Sequence, residues 1–287
     1  MKYLFLLPLT LQKKILFFWG VLVFVVMSSC KMDVQFSGVE IGYAQNPENH
    51  HTNLKDSTLN SGWKSYLPKF SKHQVIHHRY YSLSYNEQAE QAEWVAYELK
   101  KSYLKNNDFK RPYFVQDPKV FTQSADWRNY KNSGYDKGHL CPAGDMEFNL
   151  EAYNETFFTS NIAPQNREFN GGIWNRLENK VRYWAEKNNG IFVITGGVLT
   201  NATRTIGQEK VIVPDYFYKI IFKQDKDNPK IIAFLMPNEK STKALYDYVV
   251  SVDAIEKITG IDFFPQLEDS LEEDLEGNIR LKSWIAH

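Results

Sequence analysis

Ser133-Gly134-Tyr135-Asp136-Lys137-Gly138-His139-Leu140-Cys141-Pro142-Ala143-Gly144-Asp145-Met146 is the stretch on which the reading of this chain turns. Thr159-Ser160-Asn161-Ile162-Ala163-Pro164-Gln165 follows it, and then Asn170-Gly171-Gly172-Ile173-Trp174-Asn175-Arg176-Leu177-Glu178. In chemical terms this is a histidine beside a glycine and a lysine, then side-chain amides and a carboxylate leading into an amphipathic helix. Such groups can move a proton, hold a hard cation and bind phosphate.

The third segment runs into the clearest helical pattern in the chain. Ile173, Leu177, Val181 and Trp184 fall at spacings of four, four and three, which predicts a helix over 172–187. Asn170, Trp174, Glu178 and Arg182 recur every four residues. On a straight helix they drift by only about 40° per step and form one stripe beside the apolar one. A solvated stripe with Glu178 and Arg182 as an ordinary ion pair would give the same spacing. The helix alone therefore leaves a functional and a structural reading open.

Outward from this region the chain reads as α+β. Residues 78–85 and 94–99 are aromatic and β-branched and predict paired strands. Further strands are expected at 191–195, 216–222 and 231–235, the last two joined as a hairpin by the Lys226-Asp227-Asn228-Pro229 turn. A helix is expected to start at a Ser241 cap and to include Ala244, Leu245 and Tyr248. A shorter one over 252–259 stops at Gly260. The acidic run 268–276 reads as a solvated helix or loop. The expected architecture is an antiparallel core of six or so strands with helices.

The 34 basic and 34 acidic residues cancel, and 43% of the chain is hydrophobic, enough for a sizeable core. The first 29 residues hold Lys2, Lys13, Lys14 and no acid, so their removal leaves 31 basic against 34 acidic residues, a net charge of −3. Such a body has no global field for a polyanion, and attraction must come from a local basic cluster.

The apolar run 15–27 after Lys13 and Lys14 reads as an export signal, too short for a comfortable membrane span. Met27-Ser28-Ser29-Cys30 resembles the lipobox of bacterial lipoproteins, which implies a signal peptide over 1–29 and a lipid on Cys30. An uncleaved anchor helix extending back through 4–11 is the other reading, and either places the globular part outside the cytoplasm. Residues 30–70 are polar and irregular and read as a tether. With Cys30 lipidated only Cys141 remains, so no structural disulfide is expected. Cys141 beside His139 lacks the paired spacing of a zinc site and reads as a small buried residue. His50/His51 and His77/His78 are adjacent pairs whose side chains point apart, so they read as exposed or incidental.

The three quoted segments together resemble the DNA/RNA non-specific endonuclease family, which is built on a ββα-metal (His-Me) finger and includes endonuclease G. Its hallmarks are D-R-G-H, S-N-x-x-P-Q and N-x-x-x-W-x-x-L-E, and all three occur here in order. The resemblance is sharpest over 133–184, extends more loosely over about 75–265, and makes 71–287 the expected nuclease domain. It implies that His139 is the general base, that Asn161 keeps the site in register, and that Asn170 is the protein ligand of Mg²⁺, with Mn²⁺ as a substitute. Glu178 would orient the waters around the metal, Asp136 would hold the motif's turn, and Arg182 and Arg111 would contact phosphate. The role of Asp145 is left undecided. Lys137 departs from the family's arginine, keeping the charge but losing the planar two-donor fork.

The implied activity is cleavage of single- and double-stranded DNA and RNA to 5′-phosphate ends, on an envelope lipoprotein at the periplasmic or outer surface. Family members often pair, which makes a homodimer an expectation to test. A surface lipoprotein that binds nucleic acid without turnover is the alternative reading. It would be marked by loss of His139, Asn170 or Glu178, and all three are present.

Overall fold

The structure, a computed structural model, describes residues 62–69, 73–225 and 227–285, all within the unit Lys55–His287. The export signal, Cys30, most of the tether and His50/His51 lie outside the described residues.

The elements run as follows along the chain. β1 (Gln74–His77), β2 (Tyr81–Asn86) and β3 (Gln91–Leu99) form a meander. β4 (Tyr135–His139), α1 (Leu150–Glu155), β5 (Ile162–Asn166), α2 (Arg167–Phe169) and α3 (Asn175–Lys187) carry the sequence motifs. β6 (Ile191–Gly197), the small pair β7 (Thr205–Ile206) and β8 (Val211–Ile212), β9 (Tyr216–Lys223), β10 (Lys230–Pro237) and β11 (Val249–Val250) follow. α4 (Val252–Thr259), α5 (Asp269–Gly277) and α6 (Lys282–Ile285) close the chain. The main sheet has seven strands in the order β1-β2-β3-β6-β9-β10-β11, one more than the sequence suggests, and every pairing is antiparallel.

Both faces of this sheet are covered, which is why its central strands read as almost unbroken apolar runs. Side chains alternate by twos. Val95, Tyr97, Val193 and Ile221 join Leu177, Val181 and Trp184 of α3 in one core. Trp94, Ala96, Ile194, Ile220 and Phe222 face the other way, toward Ile255 of α4 and Leu275 of α5. The three large apolar side chains of α3 are at most 1% exposed. Each contributes about 1.5–3 kcal/mol by leaving water. Trp184 donates its ring N–H to the Trp284 carbonyl, and Trp284 donates to that of Ile231, both at 3.1 Å, so the C-terminal turn is pinned to the sheet.

The 216–222/231–235 hairpin is present as β9–β10, and α4 ends at Gly260 in the left-handed conformation (φ 73°). Other expectations are corrected. The helix expected from Ser241 is a single 3-10 turn, Leu245–Tyr248, because Val249 and Val250 pair with β10 instead. Residues 62–69, taken as the end of a tether, pack on the sheet: Leu67 is buried, and Trp63 and Tyr66 lie 6.0 and 6.2 Å from the Phe192 ring. The run 268–276 is helical, yet Leu275 and Glu276 are buried rather than solvated.

His78 is the largest correction to the histidine reading. It sits at the β1–β2 turn with its side chain fully enclosed, stacked 4.6 Å from Tyr81. Nε2 pairs with Asp117 Oδ2 at 2.8 Å, and Nδ1 lies 3.5 Å from Glu155 Oε1. Ser160 donates to the same Asp117 oxygen at 2.6 Å. Burial alone would lower the His78 pKa, but its contacts with Asp117 and Glu155 outweigh this and raise it above 6.5. Burial likewise opposes, and the His78 hydrogen bond reverses, the shift at Asp117, which ends below 3.8.

This clasp fixes a pH window. A raised histidine stabilises the fold fully below its unfolded pKa of 6.5 and loses that contribution as pH rises through the folded value. A lowered aspartate contributes fully above 3.8 and is lost as pH falls through its folded value. Urea unfolding should therefore show the clasp at full strength between pH 3.8 and 6.5 and weakening on either side. His78→Phe should cost about 3–5 kcal/mol at pH 5.5, the scale for leaving a buried charge unpaired, and should flatten the alkaline decline. An equal alkaline slope in protein and variant would refute the clasp.

Candidate active site

The motif segments fold into a ββα unit. β4 pairs with β5 in the register Asp136↔Gln165, Lys137↔Pro164, Gly138↔Ala163 and His139↔Ile162. Gly138 is required here by space, since a Cβ would sit 2.2 Å from the Gln165 side chain. Just beyond His139, the side chain of Asn161 clamps the turn: its Oδ1 accepts from the Cys141 N–H at 2.8 Å. Its Nδ2 donates to the carbonyls of Cys141 and Thr156, each at 2.9 Å. Asn161 is fully buried and spends its hydrogen bonds on backbone, so it positions the end of β4. Cys141 is a free, buried thiol, as its sequence context suggests.

His139 is half-buried among Phe114 (5.5 Å between ring centroids) and Phe157 (5.0 Å). Its Nε2 is enclosed and has no hydrogen-bond partner. An imidazolium there would carry a buried N–H with nothing to receive it, and the positive Arg111 lies nearby. Burial first, and Arg111 second, push the pKa down to about 3. The ring is thus neutral and able to accept a proton at neutral pH.

Two cations lie against the aromatic rings of this region. The Arg111 guanidinium lies 5.6 Å from the Phe114 ring and 5.4 Å from that of Phe157. Lys137 Nζ lies 5.4 Å from Phe114 and 5.9 Å from Tyr130. The structure thus brings both of these sequence candidates together around Phe114.

The helical side of the site departs from the straight stripe. Residues Asn170–Trp174 form a π-type turn in which Gly172 (φ −104°, ψ −108°) leaves the helical region. The four-residue spacing is therefore broken. Trp174 turns into the core against Phe169 and Phe217, while Asn170 and Glu178 stay partly exposed. Asn170 donates its amide to Asp136 Oδ2 at 3.1 Å, which ties the turn to β4 three residues before His139 and leaves the amide oxygen as an acceptor.

Glu178 and Arg182 do not form the ion pair that the spacing allows. Arg182 instead donates to Asp145 Oδ1 at 2.6 Å and to Asn179 Oδ1 at 3.1 Å. Asp145, undecided from sequence, is 1% exposed and also accepts from Tyr97 Oη at 2.8 Å. Glu178 has no hydrogen bond or ion pair among the described residues. Burial pushes its pKa up to about 7, with Lys219 pulling down, Asp145 pushing up and Arg182 pulling down. An amide oxygen and an unengaged carboxylate are hard oxygen donors, of the kind that suit a hard divalent cation. Asn170 could hold such an ion, and Glu178 could face the waters around it.

Lys219 escapes a reading from sequence. It sits mid-strand on β9, fully buried, with Nζ 4.7 Å from the Trp174 ring and without a hydrogen bond. Burial lowers its pKa and Glu178 opposes that shift most strongly. Its signal in sequence is a lone lysine inside the apolar run 216–222. Replacing it by methionine, which keeps the length but removes the charge, takes away the strongest electrostatic influence lowering Glu178. Carboxyl NMR of Lys219→Met should show Glu178 titrating further above 7 than in the unmodified protein; an unchanged or lower midpoint would disprove the coupling.

Comparison with known proteins accords with this geometry. The DNA/RNA non-specific endonuclease family model matches residues 63–270. The mitochondrial nuclease EXOG of Xenopus laevis is 34% identical over 212 residues, 68% of this chain; the chain spans 58% of that relative's length. Nuclease C1 of Cunninghamella echinulata var. echinulata is 33% identical over 212 residues, covering 68% of this chain and 84% of that protein. Among solved structures, that of an EndoG/EndoGI complex superimposes with a TM-score of 0.64 at 29% identity, over 69% of this chain and 89% of the other. Motifs, fold and comparison agree, and the chain belongs to the DNA/RNA non-specific endonuclease family.

Proposed function

We propose that this chain is a magnesium-dependent endonuclease that hydrolyses the phosphodiester bonds of DNA and RNA with little regard to sugar or sequence. The observation that carries the reading is His139: a neutral imidazole beside Arg111, on a strand that also carries Lys137 and is tied through Asp136 to Asn170. The family membership shared with EXOG and nuclease C1 supports it.

In this reading His139 takes a proton from the attacking water, and its burial beside Arg111 keeps the ring uncharged until then. Arg111 and Lys137 neutralise the phosphate drawn over Phe114. Arg182, locked to Asp145 and Asn179 by two of its five donors, keeps others for a phosphate oxygen. Asn170 would hold Mg²⁺, or Mn²⁺ in its place, through its amide oxygen, with Glu178 beside it. When bound, the ion supplies charge neutralisation at the phosphate and at the departing 3′ oxygen. Departure of that oxygen leaves a 5′-phosphate end. A homodimer and a lipid anchor on Cys30, placing the enzyme in the bacterial cell envelope, complete the proposal; the lipobox-like Met27-Ser28-Ser29-Cys30 supports the anchor.

Plasmid DNA and RNA should be degraded by the purified protein with Mg²⁺ and spared with EDTA. His139→Ala should lower kcat about 10²–10⁴-fold, the usual contribution of a positioned general base. Lys137→Arg should raise kcat/KM roughly three- to tenfold by restoring a forked phosphate contact. Metal-independent cutting, or full activity in His139→Ala, would sink the mechanism. For the anchor, cells fed labelled palmitate should yield labelled protein in the membrane fraction, and Cys30→Ser should lose both label and membrane association; a labelled Cys30→Ser protein would reject it.

A further inference from the structure

Far along the chain from the nuclease motifs, α4 and α5 bring three carboxylates to one point. Asp253 and Glu256 stand one turn apart on α4, and Glu276 lies in the last turn of α5. One carboxylate oxygen from each lies within 4.8 Å of the others. Among the described residues none of the three has a Lys, Arg or His partner at ion-pair distance. Carboxylates held together in this way repel, and a fold keeps them close only with compensation.

Glu276 makes the cluster more than a surface accident. It is 5% exposed, and its Oε1 is enclosed with no hydrogen-bond partner. An exposed acid could turn to water. This one cannot, because its neighbour Leu275 is anchored in the core that holds Ile255 of α4. The next residue, Gly277, lies beside Asp253: a Cβ there would stand in ordinary contact, 3.5 Å from Asp253 Oδ2. Glu256 is held in place as well, since its Oε1 accepts from the Phe263 N–H at 2.8 Å, leaving the other oxygen available. Burial, then the charges of Glu256, Glu272, Asp253 and Asp262, push the Glu276 pKa up to about 9.

We propose that Asp253, Glu256 and Glu276 form a calcium site that fastens α5 to α4, separate from the nuclease centre. Calcium is preferred on chemical grounds. It takes six to eight oxygens at about 2.3–2.6 Å in irregular geometry, so opposite ligands on one ion stand roughly 4.6–5.2 Å apart. Three oxygens within 4.8 Å of one another can close on one such ion with small side-chain shifts. Magnesium, at about 2.0–2.1 Å, demands a tighter octahedron and releases its waters reluctantly, which a dry Glu276 oxygen disfavours. Three carboxylates and no neutral cage match the weaker calcium modules, with a Kd of order 10⁻⁴ to 10⁻³ M.

The test is thermal unfolding of the full-length protein after EDTA treatment and dialysis, with CaCl₂ alone or MgCl₂ alone. Calcium at about 5 mM should raise Tm by roughly 3–6 °C, and magnesium by clearly less. Glu276→Gln copies the protonated side chain, so it should fold and melt at or above the cation-free parent while losing the calcium shift. Asp253→Asn serves as a second variant with the same expected loss. Asn170→Ala should keep the shift, because it touches only the nuclease centre, and Glu276→Gln should keep Mg²⁺-dependent nucleic-acid cleavage. No calcium shift in the parent protein, or an equal shift in Glu276→Gln and Asp253→Asn, overturns the site. Loss of the shift in Asn170→Ala alone assigns calcium to the nuclease centre and overturns it too.

Discussion

Asp145, Arg182 and Lys219, with the half-buried Glu178 beside them, set acidic against basic groups between the main sheet and helix α3, and the site is built on that balance. Each ion alone would cost several kcal/mol to remove from water. Together they compensate, but only in one arrangement: Arg182 must reach Asp145, Tyr97 must donate from β3, and Lys219 must project from β9 beneath Trp174. A slip of α3 by one residue would bury uncompensated charge. Hydrophobic packing of Leu177, Val181 and Trp184 holds the helix on the sheet, and the charge group fixes its register there.

Such a constraint explains why the helix can begin irregularly. The π-type turn at Asn170–Trp174 sends Trp174 inward to cover Lys219 and leaves Asn170 beside β4, where Asp136 holds it. A straight helix would place Trp174 on the same stripe as Asn170 and Glu178, with its ring in water. The functional side chains are thereby presented by backbone that is locked from below by charge and from the side by the Asn161 clamp. The clamp in turn adjoins Ser160, which is bonded to the buried His78–Asp117 pair. Two polar networks, one beneath α3 and one beside β5, thus support the motif segments.

What could be read in advance follows from range in sequence. The β9–β10 hairpin, α4 with its Gly260 stop and the order of the motif segments depend on periodicity and turn chemistry within a few residues, and they were legible. His78 was misread because its partners stand 39 and 77 positions away, so nothing local distinguishes it from a surface histidine. Asp145 and Lys219 escaped for the same reason. The 3-10 turn at Leu245–Tyr248 shows the opposite failure: the helical signal was local and real, but strand pairing of Val249 and Val250 with β10 outweighed it. Glu276 belongs to an acidic run that looks solvated until its anchored neighbours are seen.

Electrostatics link the fold to the breadth of substrate. With a net charge of −3 after the first 29 residues, the body has no net field to draw in a polyanion, and Arg111 and Lys137 around Phe114 supply local positive charge. Few phosphate contacts mean weak, salt-sensitive association. Reading base identity would require an element that enters a groove and presents donors to base edges. The residues around His139 are cations and aromatic rings, which meet phosphates and the flat faces common to every base. The proposed activity would therefore discriminate little between sequences, because the groups such a site would grip are the ones that all nucleic acids share.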